Sequence, residues 1–355
     1  MNPGCFSEGY FAMAALEEFV ASILQRKDMP SDDARCVAAS LVRSEARGWK
    51  THGLSRVKSY VDMLDEGLFN PVPAMHHTVL RGGVVFDADG AMGAVAARDI
   101  LGAARHALRD SASVLVVARD VGHLGALGVH VLAAAESGLF CMAGQQTPRL
   151  LALEGFERRA IGNNPLAFGC PLPDAPPLVF DMACSKAARG HILLAAREGR
   201  SIPPGWAVDD EGAPTTDASR ALHGALLPVG DAKGLGLAMM VQVLAASLSA
   251  TEASNARAAP SLREGGGTSR VGAFFWFVDP DAFGSRAAFD ESMSDWTGYF
   301  IGSSTRGAAR LPGQRGATLE EQARKHGIAL SAPVQDDLTA LAQRFELPFA
   351  APRRA

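Results

Sequence analysis

The feature that most limits what this chain can fold into is the alternation of short apolar runs with helix-period runs between residues 84 and 143. Val84-Val85-Phe86-Asp87 has strand composition, and 91–108 repeats its apolar residues at helical spacing. Residues 113–118 form an apolar run too short for a helix, which feeds the turn Asp120-Val121-Gly122-His123. A helix over 126–137 and strands over 139–143, 178–181 and 272–278 continue the pattern. Strand, turn and helix in succession build a sheet with helices on its faces, so the expected fold is α/β.

The flanks read differently. Residues 11–26 and a segment starting at Ser31, with Asp32 and Asp33 in its first turn and Gly48 as its stop, predict helices. Residues 318–347 predict a helical tail broken at Ser331-Ala332-Pro333 and folded back on the N-terminal helices. The expected division is a helical region over 10–80, a central α/β domain over 81–310 and a C-terminal helical tail over 311–355. Within the centre, the proline- and glycine-rich 199–231 predicts a structured loop wrapping a site, and 252–270 a flexible excursion. Residues 234–251 are uncharged and approach membrane length, but Gln242, Ser247 and Ser249 interrupt them, so a buried core helix is expected.

Composition narrows the partners. At 48% hydrophobic residues the chain can bury a large core. Its formal charge of -4 provides no basic field for nucleic acid or an anionic membrane. Five cysteines, Cys5, Cys36, Cys141, Cys170 and Cys184, lack any Cys-x-x-Cys spacing, which points away from a disulfide framework or zinc and toward a reducing cytoplasm. The first nine residues show no signal-peptide pattern. His76-His77, behind Pro71 and Pro73, reads as a surface loop, and no metal is expected.

Chemistry is concentrated in Thr51-His52-Gly53-Leu54-Ser55-Arg56. With Leu54, Val57, Val61 and Leu64 at helical spacing, Thr51 as N-cap and Gly67 as stop, a helix of about three to four turns is expected, with His52 and Arg56 on one face. Arginine matches a carboxylate with two parallel hydrogen bonds, and histidine titrates near neutrality. The same pair also occurs on solvated helices, so both readings stand at this point.

Four later turns have ligand-binding chemistry as well as a plain structural reading. Gly122-His123-Leu124-Gly125-Ala126-Leu127-Gly128 follows a strand and opens a helix without the G-x-G-x-x-G spacing. Gly230-Asp231-Ala232-Lys233-Gly234 sets a lysine at a helix start, as a phosphate site or a capping turn. Gly162-Asn163-Asn164-Pro165 offers amides to a carboxylate or forms an Asx-turn. Phe180-Asp181-Met182-Ala183-Cys184-Ser185, with Arg189-Gly190-His191 behind it, lies at a strand end, where α/β crevices form.

In this order, Thr51-His52-Gly53, Gly122-His123-Leu124-Gly125, Gly162-Asn163-Asn164-Pro165, Asp181-Met182-Ala183, Ile202-Pro203-Pro204-Gly205-Trp206, Gly212-Ala213-Pro214-Thr215-Thr216-Asp217 and Lys233-Gly234 resemble the malate/L-lactate dehydrogenase family distinct from the Rossmann lactate dehydrogenases. The resemblance spans about residues 18–347. Ala188-Arg189-Gly190, the 228–234 turn and Arg310-Leu311-Pro312-Gly313-Gln314-Arg315 are most similar to the delta-1-piperideine-2-carboxylate and delta-1-pyrroline-2-carboxylate reductases.

The resemblance implies a non-Rossmann NADPH-binding fold with a mixed sheet, and NADPH-dependent reduction of cyclic imino acids, NAD being the other cofactor. It makes His52 the proton donor, Thr51 its relay and His191 a second relay where an acidic residue is usual. Arg56, Asn163, Arg189 and Gly190 would bind substrate. His123, Leu124, Gly125, Ala126, Leu127, Asp181, Met182, Ala183, Lys233, Gly234, Arg310, Gly313 and Arg315 would hold the cofactor. A homodimer acting on a small carboxylate is implied, with a 2-hydroxy acid dehydrogenase or a non-catalytic relative as the alternatives.

Overall fold

The computed structural model describes residues 9–250, 271–305 and 309–349; the excursion expected at 252–270 lies outside the described residues. Apolar periodicity forms the N-terminal elements. After strand β1 (Tyr10–Phe11), α1 (Met13–Gln25) buries Leu16, Phe19, Val20, Ile23 and Leu24 along one stripe against α2 (Ser31–Ala46). Each such buried Leu or Ile contributes roughly 2 kcal/mol. Two 3-10 turns, Lys50–His52 and Leu54–Arg56, lead into α3 (Val57–Asp65).

A seven-stranded mixed sheet follows, in the order β2-β3-β4-β13-β5-β8-β9. Its members are β2 (His76–Leu80), β3 (Gly83–Asp87), β4 (Ser113–Val121), β5 (Phe140–Gln145), β8 (Leu166–Cys170), β9 (Leu178–Met182) and β13 (Val271–Val278). Only β3 and β4 pair in parallel, so the sheet is not a Rossmann one. The β3–β4 and β4–β5 connections carry α4 (Gly93–Ala107) and α5 (Leu127–Glu136), whose apolar faces share one core with Val116, Phe275 and Phe277.

A second sheet of five short strands has the order β11-β10-β12-β6-β7. It comprises β6 (Arg149–Leu151), β7 (Ile161–Gly162), β10 (Ala207–Val208), β11 (Pro214–Thr215) and β12 (Ala225–Leu226). Helices α6 (Arg189–Arg197) and α7 (Ala218–His223) share its core. The expectation of a loop over 199–231 is therefore corrected: three of these strands and α7 lie there. Strands of two residues span a single period of alternation and so contain no repeat for a pattern to reveal.

The chain then runs through α8 (Ala232–Val241), which passes without a break into a π-helical turn (Gln242–Ser247). The buried helix expected here is buried on one side only. Val241, Ala245 and Ala246 face the sheet, whereas Met239 and Val243 are each 52% exposed and Leu248 is 55% exposed. Helix α9 (Arg286–Gly302), unforeseen because its apolar residues follow no single stripe, packs Phe289 and Met293 near Phe140, Phe168 and Cys170. Helix α10 (Gln314–His326), β14 (Ile328–Ala329) and α11 (Ala332–Phe345) close the described chain.

Strand β14 pairs with β1, and Leu338 and Leu341 of α11 enter the core of α1 to α3. The tail thus folds back on the N-terminal helices, and its helical run is interrupted at 327–331, adjoining the break expected at 331–333. Pro333 itself sits in the first turn of α11, where its missing N–H has no helical partner to lose. His76 and His77, expected in a loop, begin the exposed edge strand β2, with His77 stacked on Phe86.

Candidate active site

The continuous helix expected from Thr51 does not form. Gly53 has φ -96 and ψ -137, which splits the segment into two 3-10 turns. The cause is Glu45 on α2: its carboxylate accepts the Leu54 N–H at 3.0 Å, and a Cβ on Gly53 would lie 2.3 Å from it. Thr51 caps nothing, and its hydroxyl is 2.9 Å from His52 Nδ1 instead. The kink still brings His52 and Arg56 together, because Arg56 Nε donates back to the Thr51 carbonyl at 2.7 Å.

The β4–α5 loop closes over this turn. The His123 ring stacks on His52 at 5.7 Å between centroids, with 22° between planes. Tyr60, the next turn of helix after Arg56, places its hydroxyl 2.8 Å from His123 Nδ1. Gly125, at φ +71, leaves room beside the Tyr60 hydroxyl and the His52 carbonyl. Gln145 at the end of β5 holds the loop in two directions, accepting from Leu124 N–H at 3.0 Å and donating to Gly122 O at 2.9 Å.

Burial dominates the electrostatics of this cluster. It pushes His52 down to about 4, with the Arg56 charge as the second cause. It pushes His123 down to about 3, helped by Arg56 and His52, and raises the Tyr60 phenol to about 12. Near pH 7 both imidazoles are neutral and Tyr60 is a hydrogen-bond donor, so His123 Nδ1 accepts from it.

A second group of residues gathers where β9 leaves the sheet. Burial raises the Asp181 carboxyl to about 6, while its Oδ2 accepts the Gly128 N–H at 2.8 Å from the first turn of α5. Gly128 is glycine because the Trp49 ring lies where a Cβ would stand, at 2.5 Å. Beyond Met182 and Ala183, Cys184 N–H donates to the Asn163 carbonyl and Ser185 N–H to Asn163 Oδ1 at 2.9 Å. Asn163 therefore ties two segments together through the oxygen of its amide. Asn164, fully buried at φ 34, accepts the Thr147 N–H through Oδ1 and donates from Nδ2 to Ala238 O and Gln242 Oε1.

Ser185 bridges to Pro228, which brings the turn before α8 alongside. Gly234 packs against the Val229 carbonyl, where a Cβ would stand at 2.2 Å, and Lys233 is exposed. Asp231 occupies the N-cap at φ 52 without capping the helix. Arg189 and Gly190 begin α6, and exposed His191 has its ring 6.2 Å from Trp206. The 310–315 turn lies against the other end of β9, since Val179 N–H donates to Pro312 O at 3.0 Å. Arg47 donates to Gly313 O at 3.2 Å and pairs with Glu320 at 2.6 Å.

Tyr60, Gln145, Trp49 and Glu45 are the site residues that sequence reasoning missed. Tyr60 alone left a trace there, four positions after Arg56 and eight after His52. Among the described residues no group of three or more His, Cys, Asp or Glu could hold a metal ion, and no helix is long and apolar enough to cross a membrane.

A mixed sheet without Rossmann order stands beside a turn that carries an imidazole able to move a proton and a guanidinium able to bind an anion. The chain belongs to the malate/L-lactate dehydrogenase family, whose pattern matches residues 11–339. It is 33% identical to the delta(1)-pyrroline-2-carboxylate reductase of Ancylobacter novellus, over 94% of this chain and 97% of that one. It is 35% identical to the delta(1)-pyrroline-2-carboxylate/delta(1)-piperideine-2-carboxylate reductase of Pseudomonas aeruginosa, over 92% and 97%. The solved delta1-piperideine-2-carboxylate reductase of Pseudomonas syringae superposes with a TM-score of 0.82 at 28% identity, covering 94% of this chain and 99% of that one. The protein is accordingly an oxidoreductase that uses a nicotinamide cofactor.

Proposed function

We propose that this protein reduces cyclic imino acids, delta-1-piperideine-2-carboxylate to L-pipecolate and delta-1-pyrroline-2-carboxylate to L-proline, with NADPH. The observation that carries this reading is the Thr51, His52 and Arg56 turn. It sets a carboxylate clamp beside an acid whose Nδ1 is already engaged by the Thr51 hydroxyl, which leaves Nε2 for substrate. Arg56 binds the substrate carboxylate, and His52 delivers the proton to the ring nitrogen. Thr51 holds the tautomer and relays, and His191 is a second relay. Asn163, Arg189 and Gly190 line the substrate from the β9 side.

The cofactor's residues are His123, Leu124, Gly125, Ala126 and Leu127, then Asp181, Met182 and Ala183, then Lys233 and Gly234, then Arg310, Gly313 and Arg315. A buried polar atom fits that assignment: Ser185 Oγ, between Asn163 and the Lys233 turn, has no hydrogen-bond partner and can donate to a bound group. When bound, the nicotinamide supplies the hydride. Exposed Arg310 and Arg315 favour a ribose phosphate, hence NADPH over NADH.

Further features bear on setting and assembly. Cys36, Cys141, Cys170 and Cys184 are all free, which supports a cytoplasmic, reducing setting. Exposed Met239, Val243 and Leu248, with Trp276 at 40% exposure on the face that Phe274 shares, support a second copy of this chain as the partner. The shared core of α1, α2, α3 and α11 supports one helical region built from 10–80 and 311–355 against a central 81–310.

The test is reduced-nicotinamide consumption by the purified protein with the five- and six-membered cyclic imino acids against pyruvate and oxaloacetate, using NADPH and NADH. Turnover of the imino acids with NADPH is expected. Turnover of the oxo acids alone would make the protein a 2-hydroxy acid dehydrogenase, and no turnover of any pair would make it a binding protein.

A further inference from the structure

An acid has to carry a proton before it can give one, and the free site opposes that. Three groups that hold or can take positive charge converge here: Arg56, His52 and His123, the two rings stacked at 5.7 Å. A narrow cavity runs between α2 and the His123 loop, lined by Ser40, His52, Tyr60 and His123 among apolar neighbours such as Met92.

The groups facing His52 from each packed element are accounted for. From α3, Tyr60 gives its hydroxyl to His123. From α5, His130 Nε2 is bound to Leu124 O at 2.7 Å. Two carboxylates of the site are committed to backbone amides, Glu45 from α2 to Leu54 and Asp181 from β9 to Gly128. Neither is placed to balance an imidazolium at His52.

We infer that the site takes up a proton together with its substrate: a carboxylate docking on Arg56 supplies the counter-charge that lets His52 become an imidazolium. This rests on the reading of Arg56 as the carboxylate clamp and His52 as the acid. The site then loads its own acid only when a substrate is present. On reduction the C=N electron pair moves to nitrogen, which takes the His52 proton as the carbon takes the hydride. His52 returns to neutral, and the next proton arrives with the next carboxylate. Because the two effects are linked, the carboxylate binds more weakly as protons become scarce, by up to about tenfold per pH unit between the free and the bound imidazole's pKa, and levels off above the latter. Tyr60 contributes by donating to His123 Nδ1, which disfavours a second proton on the ring stacked against His52.

The experiment is calorimetric titration of the protein with oxidised cofactor present, using pyrrole-2-carboxylate as a planar carboxylate that cannot be reduced. Buffers of different ionisation heat are compared between pH 5 and pH 8. The expected result is net proton uptake approaching one per site within that range, lost in His52→Gln while binding persists. Binding without uptake, or the same uptake in His52→Gln, would overturn the inference and leave the clamp intact. Uptake that survives in His52→Gln but vanishes in His123→Gln would place the proton on the wrong ring. Absence of binding heat at every pH would instead remove the Arg56 clamp, and the inference with it.

Discussion

The two halves of the candidate site are held in opposite ways. Around His52 the supporting polar groups bond to the protein itself: Thr51 on Nδ1, Tyr60 on His123, Gln145 on the loop and Glu45 on the turn. Where β9 leaves the sheet, Lys233 and His191 are exposed and Ser185 Oγ is buried without a partner, and Arg310 and Arg315 are exposed at the other end of the strand. On the proposed function, the first half is preorganised and the second would be completed by the cofactor. Reacting groups must hold their geometry before substrate arrives, whereas a large cofactor can bring its own order to flexible cations.

This contrast can be broken by substitutions that treat the halves differently. The largest effect is expected for His52→Ala, a fall in turnover with cyclic imino acids of about a thousandfold at unchanged cofactor affinity. Steady-state kinetics with either imino acid measures it, and a loss below tenfold would remove His52 from the chemistry. Next comes Arg56→Lys, which keeps the charge but loses the planar fork, expected to lower kcat/KM for substrate by roughly a hundredfold with little change for cofactor. An equal loss for both would mean that the clamp serves the cofactor.

Gly53→Ala sharpens the claim of preorganisation, because the added Cβ meets Glu45 at 2.3 Å. Overpacking of this kind costs about 1 to 3 kcal/mol, read as a lower denaturant midpoint together with reduced kcat. In the other half, Lys233→Ala should raise KM for NADPH by about tenfold and leave stability unchanged, since the side chain is exposed. A drop in stability there would show that the second half is built like the first.

A further effect is on stability against pH. His52 and His123 have folded pKa values depressed to about 4 and about 3, below the ordinary histidine value, so the unfolded chain binds more protons between those values and about 6.5. Stability should therefore rise with pH across that window and fall as pH drops from 6.5 toward 4. Urea unfolding at a series of pH values checks the slope, and His123→Gln should flatten it.

Much of the architecture was legible in the chain, for a particular reason. The 84–143 alternation and the stripes of α1 and α2 come from local periodicity, which a linear pattern carries in full. The 199–231 sheet was invisible because its strands are two residues long and paired across distant segments, as Leu226 with Leu151. The tail's break was legible to within a few residues, falling at 327–331 rather than 331–333, since a proline alone does not say which side of it a helix lies on. In the candidate site, His52 and Arg56 were legible through their chemistry, but the helix invoked to join them was wrong. Their juxtaposition depends on Glu45, whose role appears only when α2 packs against the turn.

The sequence by itself determined the side chains able to clamp a carboxylate and move a proton, and the order of turns that marks the family. Tertiary structure decided which of them meet. Tyr60 reaches His123 across 63 positions, and Asp181 reaches Gly128 across 53. It also decided their charge state, because the desolvation that keeps His52 neutral comes from elements packed around it, and burial is a property of the assembled fold rather than of any segment.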